Sequence, residues 1–305
     1  MGMKPTLLVL AAGSGSRYGG LKQFDAVGPN GETMMDYSVY DAIQAGFGKV
    51  VFVVRESFAD QFESQVGSKY AGSVDIAYVC QELESYVPEG ITWPKERHKP
   101  WGTGHAVLVA EHEIHESFMM VNADDFYGRE SFEKMAEFLR THSQYGLVDE
   151  YAMVGFLLKN TVSIHGTVSR GICETDEHNY LTSVVEFPKI MLKDKKIVYI
   201  DDLDEEYSLT GEEMTSMNMW GFSPTIFGHL RHQFLEFLHG RALEADAEFY
   251  IPTVVNNIMA AGEAKVKVLA TNAGWFGMTY RQDLSVVHSQ IVRLISQGKY
   301  PEKLW

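Results

Sequence analysis

The feature that most constrains the fold is an apolar run near the start of the chain that leads directly into a glycine-rich loop. The run is Leu7–Leu10, and the loop from residue 11 to residue 22 reads AAGSGSRYGGLK. Glycine lets the backbone approach an anion and point its N–H groups at it, and Arg17 and Lys22 add two cations. The pattern predicts a buried strand followed by a loop that holds a polyphosphate.

Two familiar phosphate-binding motifs do not match this loop. The dinucleotide fingerprint requires a third glycine where Tyr18 stands, and the Walker A motif requires Ser or Thr where Gln23 follows Lys22. The alternative interpretation is an ordinary turn that carries two solvated cations. A nicotinamide-dependent oxidoreductase would also begin with a strand and such a loop, but the missing glycine disfavours it.

The charge balance limits the classes of partner. The chain has 26 Lys and Arg against 41 Asp and Glu, a formal net charge of −15, whereas proteins that bind nucleic acid present basic faces to its phosphates. We therefore expect no nucleic-acid partner. An acidic protein with an anionic substrate must concentrate its cations locally or use a metal ion, and Arg17 and Lys22 lie where such a concentration is expected.

The cysteine content and the hydropathy pattern bear on the compartment. Cys80 and Cys173 are the only cysteines and lack a CxxC spacing, which favours a reducing environment without a disulfide framework. No apolar stretch reaches the length of a membrane span, and no secretory signal is evident. The expectation is a cytoplasmic protein without a membrane partner.

The first half of the chain alternates predicted strands and helices. Strands are expected at 49–55, 74–80 and 118–123, and helices at 33–45, 57–66 (with Ser57 as N-cap), 103–114 and 131–142. This alternation predicts an α/β fold with a Rossmann-like, mixed but mostly parallel sheet flanked by helices. Ligands of such sheets bind beyond the carboxyl ends of the strands, where the glycine loop, Gln81 and Asp124-Asp125 all lie.

The second half has shorter predicted strands and no linker. Strands are expected at 166–174, 180–186, 196–200, 217–222 and 265–270, and helices at 224–239, 252–261 and 281–297. We predict a single domain over residues 1–305, whose halves divide near residue 145. The segment 86–101 contains three prolines and no periodicity, and loops of this length are often functional lids.

Three polar or glycine-containing segments are candidates for ligand contacts. Asp124-Asp125 ends an apolar strand and offers the oxygen ligands that Mg²⁺ prefers, with a turn or a helix cap as the alternative. Two glycines in 100–106 would let a flat ring approach the backbone. The alternative is that they only mark the boundary between a loop and a helix. Glu186, at a predicted strand end, could accept hydrogen bonds from sugar hydroxyls or be a solvated terminus.

Together these residues resemble the sugar-1-phosphate nucleotidyltransferases, the NDP-sugar pyrophosphorylase family. The opening pattern of that family is matched from Ala11 through Lys22, its base-contacting Gln by Gln81, and its Pro-x-Gly loop at 100–102. Its metal-binding strand end is matched by the sequence ADD at 123–125. Looser matches, at 170–174, 184–189, 218–222 and 275–284, extend the resemblance over nearly the whole chain.

The resemblance implies the nucleotide-diphospho-sugar transferase fold, with a nucleotide-binding half and a sugar-binding half, and a set of residue roles. Arg17, Lys22 and Asp124 would be catalytic; Ala11, Gly13, Gly15, Gln81 and Gly102 would bind the nucleotide; Gly171, Glu186 and Asn218 would bind the sugar; Asp124 and Glu248 would hold Mg²⁺. The substrates would be a nucleoside triphosphate and a sugar 1-phosphate. A homo-oligomer is an open alternative to a monomer.

Three departures from the family pattern leave the sugar and the second metal ligand open. Phe187 replaces the Lys expected at the sugar phosphate, with Lys189 or Lys193 as unaligned substitutes. Val254 stands where the second metal Asp is expected, which makes Glu248 or Asp246 a candidate only, and 278–280 replaces Gly-Thr-Pro. Uridylyl transfer from UTP to glucose 1-phosphate is the first expectation. Thymidylyl, guanylyl or cytidylyl transfer and a non-catalytic nucleotide sensor remain alternatives.

Overall fold

The strands and helices of this chain follow one another in the order that the apolar periodicity predicts for most of its length. The computed structural model describes residues 4–13, 24–66, 69–70, 72–141, 148–163, 165–278 and 280–305. Its strands are β1 (Thr6–Leu10), β2 (Lys49–Val54), β3 (Asp75–Cys80), β4 (Phe118–Asn122), β5 (Asp125–Phe126), β6 (Asp149–Leu157), β7 (Val168–Thr175), β8 (Leu181–Lys193), β9 (Lys196–Ile200), β10 (Glu206–Leu209), β11 (Met214–Phe222), β12 (Ala264–Ala270) and β13 (Phe276–Gly277). Its helices are α1 (Met34–Ala45), α2 (Glu56–Val66), α3 (Thr103–Leu108), α4 (Arg129–Thr141), α5 (Ile226–Arg241), α6 (Ile251–Ala260) and α7 (Asp283–Ser296), with a 3₁₀ turn at Leu158–Asn160.

Eleven of the strands in the described ranges form one mixed sheet that contains strands from both halves of the chain. β3, β2, β1 and β4 lie side by side in parallel, as the alternation of strands and helices predicts. From β4 the sheet continues through β11, β7, β8, β9 and β10, each antiparallel to the last. β6 joins β11 antiparallel and β12 parallel. The Rossmann-like mixed sheet is confirmed; among the described strands, three of its four parallel pairings join strands of the first half, and its other six pairings are antiparallel.

Two apolar layers cover the faces of the sheet, because successive residues of a strand point to opposite sides. On β4, Phe118 and Met120 belong to the layer shared with α3, α5 and α6. Met119 and Val121 belong to the layer shared with α1, α2 and α4. Full burial of such a side chain stabilises the fold by about 1.5–3 kcal/mol, so these alternating residues fix which face each helix covers.

Helix α1 begins and ends where its sequence signals indicate. Thr33 caps its N-terminus, and the Asp36 side chain accepts a hydrogen bond from the backbone N–H of Thr33, which completes a capping box. Gly46 ends the helix in the left-handed conformation (φ 92°), which glycine adopts without the penalty of a Cβ.

Several local predictions differ from the structure. Glu186 does not lie at a strand end, because β8 continues to Lys193. Helix α3 ends at Leu108 and not at 114, because the N–H groups of Ala110, Glu111 and Glu113 bond to carbonyls three residues back and form turns. Ser57 is not an N-cap, since α2 already begins at Glu56. Strand β6 was not predicted, although its central residues are buried. Within the described part of the chain, no helix is long and apolar enough to cross a bilayer.

Candidate active site at the carboxyl edge of the sheet

The four parallel strands bring the predicted nucleotide residues to one edge of the sheet. In the order β3-β2-β1-β4, Gln81 follows β3, Ala11 follows β1, and Asp124 lies two residues beyond β4. Parallel strands end at the same edge, and neighbouring strands are about 4.8 Å apart. The start of the glycine loop therefore lies between the glutamine and the aspartates, as expected for a crevice beyond the carboxyl ends of the strands.

The loop after β1 is described only at its start. The Ala11 N–H donates to Val53 O at 2.9 Å, and Ala12 O accepts a hydrogen bond from Arg55 Nε at 3.0 Å. Gly13 is exposed, and a Cβ added there would meet no atom of the described residues within 4 Å. Arg55 therefore brings a cation to the base of the loop, which sequence reasoning missed because Arg55 was assigned only to a strand end.

The remaining predicted residues of this loop, Gly15, Arg17 and Lys22, lie outside the described residues. Their roles in holding the phosphates stay predictions. The described part supports them only indirectly, since Ala11 to Gly13 leave the sheet at the edge where Gln81 and the two aspartates also lie.

Gln81 has both hydrogens of its amide nitrogen engaged. Nε2 donates to Gly102 O at 3.0 Å and lies 3.3 Å from His105 Nδ1. The other ring nitrogen of His105 lies 2.8 Å from Ser85 O, an acceptor, so Nε2 carries the proton and Nδ1 accepts. Burial lowers the pKa of His105 to about 4, which keeps this neutral tautomer at pH 7. Oε1 is therefore the remaining hydrogen-bonding atom of the Gln81 amide.

Gly102 and Gly104 are glycines because Phe249 packs against them. Gly102 has φ 104°, and a Cβ there would lie 2.7 Å from Phe249 O; at Gly104 a Cβ would lie 2.6 Å from the Phe249 ring. The Gly104 N–H donates to Phe249 O at 2.8 Å, and the Phe249 N–H donates to Trp101 O at 2.5 Å. The ring that packs against Gly104 is that of Phe249, whereas Gly102 faces the Phe249 backbone; a contact of Gly102 with the nucleotide stays a prediction.

The proline-containing loop 86–101 is anchored to the body of the protein by Arg97. Arg97 is only 3% exposed, and its guanidinium donates to three backbone carbonyls in 244–247. It also lies 3.8 Å from the centre of the Trp101 ring, and the Trp101 indole donates to Leu83 O at 2.9 Å. These contacts hold the carboxyl end of the loop next to Gly102.

The two aspartates after β4 differ in their surroundings. Asp124 is half-buried, and its backbone carbonyl accepts a hydrogen bond from Met278 at 3.2 Å. Asp125 is 7% exposed, and its Oδ2 accepts hydrogen bonds from Asn122 Nδ2 at 2.9 Å and from the Tyr127 hydroxyl at 3.2 Å. The more accessible Asp124 therefore fits a metal ligand better than Asp125 does.

The closing segment predicted at 275–284 reaches these aspartates. Strand β13 pairs with β5, and Gly277 lies opposite Asp125. A Cβ on Gly277 would overlap the Asp125 carboxylate, so only glycine permits this close pairing. The C-terminal part of the chain thus forms one wall of the site.

The sheet brings the three predicted sugar residues together. Gly171 of β7 lies opposite Glu186 of β8 and opposite Ser216 of β11. Asn218 follows in a bulge of β11, and its Nδ2 donates to Asn122 Oδ1 at 2.8 Å. Asn122 is the last residue of β4. The three residues Gly171, Glu186 and Asn218, called the sugar group below, therefore adjoin the strand that leads to Asp124. Sequence reasoning missed Asn122, although a polar residue that ends a buried apolar run was a usable signal.

The lysines suggested as substitutes at the sugar phosphate are engaged away from Glu186. Lys193 stands seven residues further along β8, about 23 Å at the rise of a strand, and pairs with Glu206. Lys189 lies 3.8 Å from Asp204. Phe187 packs edge-on against Tyr199 at 4.7 Å between ring centres. The structure thus gives neither lysine a contact with the sugar group.

Glu248, the suggested second metal ligand, lies beside Gly102, the residue whose carbonyl accepts the Gln81 amide bond after β3. Its carboxylate pairs with Lys99, and its Cβ would lie 3.2 Å from a Cβ on Gly102. Among the residues that the structure describes, no group of three or more His, Cys, Asp or Glu side chains could hold a metal ion. The joint ligation of Mg²⁺ by Asp124 and Glu248 stays a prediction. The carboxylates after β4 supply the oxygen donors that Mg²⁺ prefers, whereas Glu248 is paired with Lys99.

Cys173, the one thiol beside the sugar group, is not suited to act as a nucleophile. Its Sγ lies 3.5 Å from Gly171 O. Burial raises the pKa of this thiol to about 12, and the charge of Glu186 adds to the shift. Since the thiolate is the reactive form, Cys173 stays inert at neutral pH.

Solved structures share this fold at low sequence identity. An inositol-1-phosphate CTP transferase from T. maritima superposes with a TM-score of 0.60 at 14% identity, covering 96% of this chain and 97% of its own. A Bacillus anthracis protein described as a glucose-1-phosphate thymidylyltransferase, with bound sucrose, gives 0.62 at 14% identity and 95% coverage of both chains. A UDP-glucose pyrophosphorylase with UDP-glucose gives 0.60 at 15% identity, covering 95% of this chain and 99% of its own.

The comparison with curated protein sequences finds no significant match. The sequence profile of the nucleotidyl transferases, by contrast, matches residues 6–276, which include every strand of the eleven-stranded sheet and all of the site described above except Gly277 and Met278. The resemblance seen in the motifs is thereby confirmed, and the oxidoreductase alternative is wrong. The chain belongs to the nucleotidyl transferase family.

Proposed function

We propose that this enzyme transfers a nucleotidyl group from a nucleoside triphosphate to a sugar 1-phosphate and releases pyrophosphate. The observation that carries the proposal is the hydrogen bond between Asn218 and Asn122. It joins the sugar group Gly171, Glu186 and Asn218 to the end of β4, which carries Asp124. The two halves of the candidate site are thus within one hydrogen bond of each other, as a transfer between two bound substrates requires.

The proposed reaction is an in-line attack of the sugar phosphate oxygen on the α-phosphorus of the nucleotide. The backbone of Ala11 to Gly15 and the guanidinium of Arg17 would hold the β- and γ-phosphates, which leave as pyrophosphate. Lys22 would stabilise the charge that develops on the α-phosphate. Mg²⁺ held by Asp124 would supply further charge neutralisation when bound. No protein nucleophile is needed, because such transfers depend on positioning and electrostatics.

The amide of Gln81 supports uracil or thymine as the base. Because its Nε2 hydrogens are used by Gly102 and His105, it can offer a base only the acceptor Oε1. Uracil and thymine present a ring N3–H donor to this acceptor, whereas N3 of cytosine is itself an acceptor; cytosine could donate only from its exocyclic amino group, and guanine from N1 or its amino group. UTP is therefore the first candidate, with glucose 1-phosphate as its partner substrate. dTTP fits the same contact, and GTP and CTP are the competing outcomes.

The test combines four nucleoside triphosphates with four sugar 1-phosphates in the presence of Mg²⁺ and follows pyrophosphate release. We expect release with UTP or dTTP only when a sugar phosphate is present. A nucleotide sensor is the competing function, because Glu248 is paired with Lys99 and a second metal carboxylate is not identified. Nucleotide binding in calorimetry without pyrophosphate release from any of the sixteen mixtures would establish the sensor instead.

The cellular setting is also a proposal. Cys80 is exposed and Cys173 is buried, and both are free thiols. Free thiols of this kind are usual in reducing compartments, which supports the cytoplasm as the location of this enzyme.

A further inference from the structure

A network of hydrogen bonds surrounds the turn that follows β4. The Asn122 side chain donates from Nδ2 to Asp125 Oδ2 at 2.9 Å and accepts at Oδ1 from Asn218 Nδ2 at 2.8 Å. The Tyr127 hydroxyl accepts from the Asn122 backbone N–H at 3.0 Å and lies within hydrogen-bond distance of Asp125 Oδ2 and Met217 O. The network therefore joins β4 to the bulge of β11.

The chemistry of these groups fixes which way each amide faces. A carboxylate accepts hydrogen bonds and does not donate them, so Asn122 must present Nδ2 to Asp125. Its Oδ1 then faces Asn218, which must donate a hydrogen bond from its own Nδ2. Asn218 is left with its carbonyl oxygen and one N–H for other partners. Reversing either amide would set two donors or two acceptors against each other.

Asn218 needs such support because its backbone is strained. It has φ 62° inside a strand, a left-handed conformation that non-glycine residues adopt only when their surroundings hold them there. The register of β11 against β6 shifts between Ser216 and Trp220, so no regular ladder fixes the residue. The Asn218 backbone N–H donates to Ser216 Oγ at 3.4 Å, and the Asn218 side chain is held by its bond to Asn122 Oδ1 at 2.8 Å.

We propose that Asn122 and Asp125 are positioning residues that orient the Asn218 amide toward the sugar substrate. The inference rests on the proposed function, since Asn218 is the residue expected to meet the sugar. The hydrogen bonds from Asn218 to Asn122 and from Asn122 to Asp125 form a relay. Through this relay Asn218 presents its carbonyl oxygen as an acceptor for a sugar hydroxyl. Neither Asn122 nor Asp125 needs to touch the substrate for this effect.

The test exchanges the two ends of the relay. Asn122→Asp places a carboxylate against Asp125 and removes the donor between them. Adding Asp125→Asn restores the pattern, because the amide introduced at position 125 can donate to the carboxylate introduced at position 122, whose other oxygen accepts from Asn218. For glucose 1-phosphate we expect N122D to raise KM at least about tenfold, which corresponds to about 1.4 kcal/mol. The double variant should return to within about threefold of the wild type.

Two comparisons separate positioning from a general structural effect. The KM for the nucleotide should change less than about twofold in both variants. Asn257→Asp is the matched control, since Asn257 on α6 donates to Gln233 on α5 in an exposed amide pair, and it should leave both KM values unchanged. Equal increases of both KM values in N122D, or a double variant no better than N122D, would overturn the proposal.

Failure of the proposed function looks different from failure of this inference. If the wild type releases no pyrophosphate, the proposed reaction is wrong, and calorimetric affinity for glucose 1-phosphate then provides the same comparison across the variants. If N122D does not fold, Asn122→Ala replaces it, because it breaks the relay without adding charge. N122A must show the same selective loss for the sugar phosphate; a wild-type affinity would refute the relay.

Discussion

Replacing Gly102 with alanine tests whether the packing of Phe249 fixes the loop beside Gln81. Gly102 has φ 104° and ψ −173°, a backbone region that is nearly exclusive to glycine and costs other residues about 1–3 kcal/mol. The new Cβ would also lie 2.7 Å from Phe249 O. To relieve the overlap, the loop must move and weaken the Gly104–Phe249 hydrogen bond, a loss of about 0.5–1.5 kcal/mol.

We therefore expect Gly102→Ala to destabilise the protein by about 2–4 kcal/mol in urea unfolding. Gly90→Ala is the matched control, because Gly90 also has a positive φ (91°) but no atom within 4 Å of an added Cβ. Gly90→Ala should therefore lower the free energy of unfolding by the backbone strain alone, about 1–2 kcal/mol. Because Gly102 O also accepts the Gln81 amide bond, Gly102→Ala alone should raise the nucleotide KM. Equal destabilisation by the two variants would refute the packing argument.

Three further predictions address the charged and titratable groups. Lys22→Ala should lower kcat by about 10²–10³, as expected for the loss of one preorganised charge. Lys195→Ala, at the β8–β9 turn, is the control and should leave kcat unchanged. A near-normal kcat for Lys22→Ala would show that Lys22 takes no part in the reaction. Asp124→Asn should raise the Mg²⁺ concentration for half-maximal activity at least about tenfold, and an unchanged Mg²⁺ titration would exclude Asp124 as a ligand. His105 has a folded pKa of about 4 against about 6.5 unfolded, so its stabilising contribution is complete above pH 6.5 and falls by up to about 3 kcal/mol as the pH drops to 4. Urea unfolding of wild type and His105→Gln between pH 4 and pH 8 should show this difference, and parallel pH profiles would contradict it.

Local patterns were sufficient to predict most elements of the first half; β5 and the early end of α3 were not predicted. β2 and β3 are apolar runs of strand length, and α1 carries both a capping residue and a terminal glycine, so the periodicity and the caps agree. Because all four parallel strands end at one edge, this pattern also predicted the position of Gln81 and Asp124. β6 was missed because its acidic start, Asp149-Glu150, and Gly155 near its end obscure a buried strand.

The contacts between distant segments could not be predicted from local patterns. Asn122 and Asn218 are 96 residues apart, and only the antiparallel placement of β11 beside β4 brings them together. The Lys99–Glu248 pair likewise depends on how Phe249 packs onto the glycines of the 100–104 loop. Neither partner in these pairs carries a sequence signal for the other, so the resemblance could suggest Glu248 as a metal ligand without indicating its lysine partner.

The most direct test of the proposed reaction is the fate of ¹⁸O in the phosphate of glucose 1-phosphate. With the labelled sugar phosphate, UTP and Mg²⁺, attack by a sugar phosphate oxygen on the α-phosphorus retains all of the label in the nucleotide sugar and releases unlabelled pyrophosphate. Mass spectrometry of both products should show this distribution with UTP or, failing that, with dTTP. Label in the pyrophosphate, or no nucleotide sugar with any of the four nucleotides, would contradict the account.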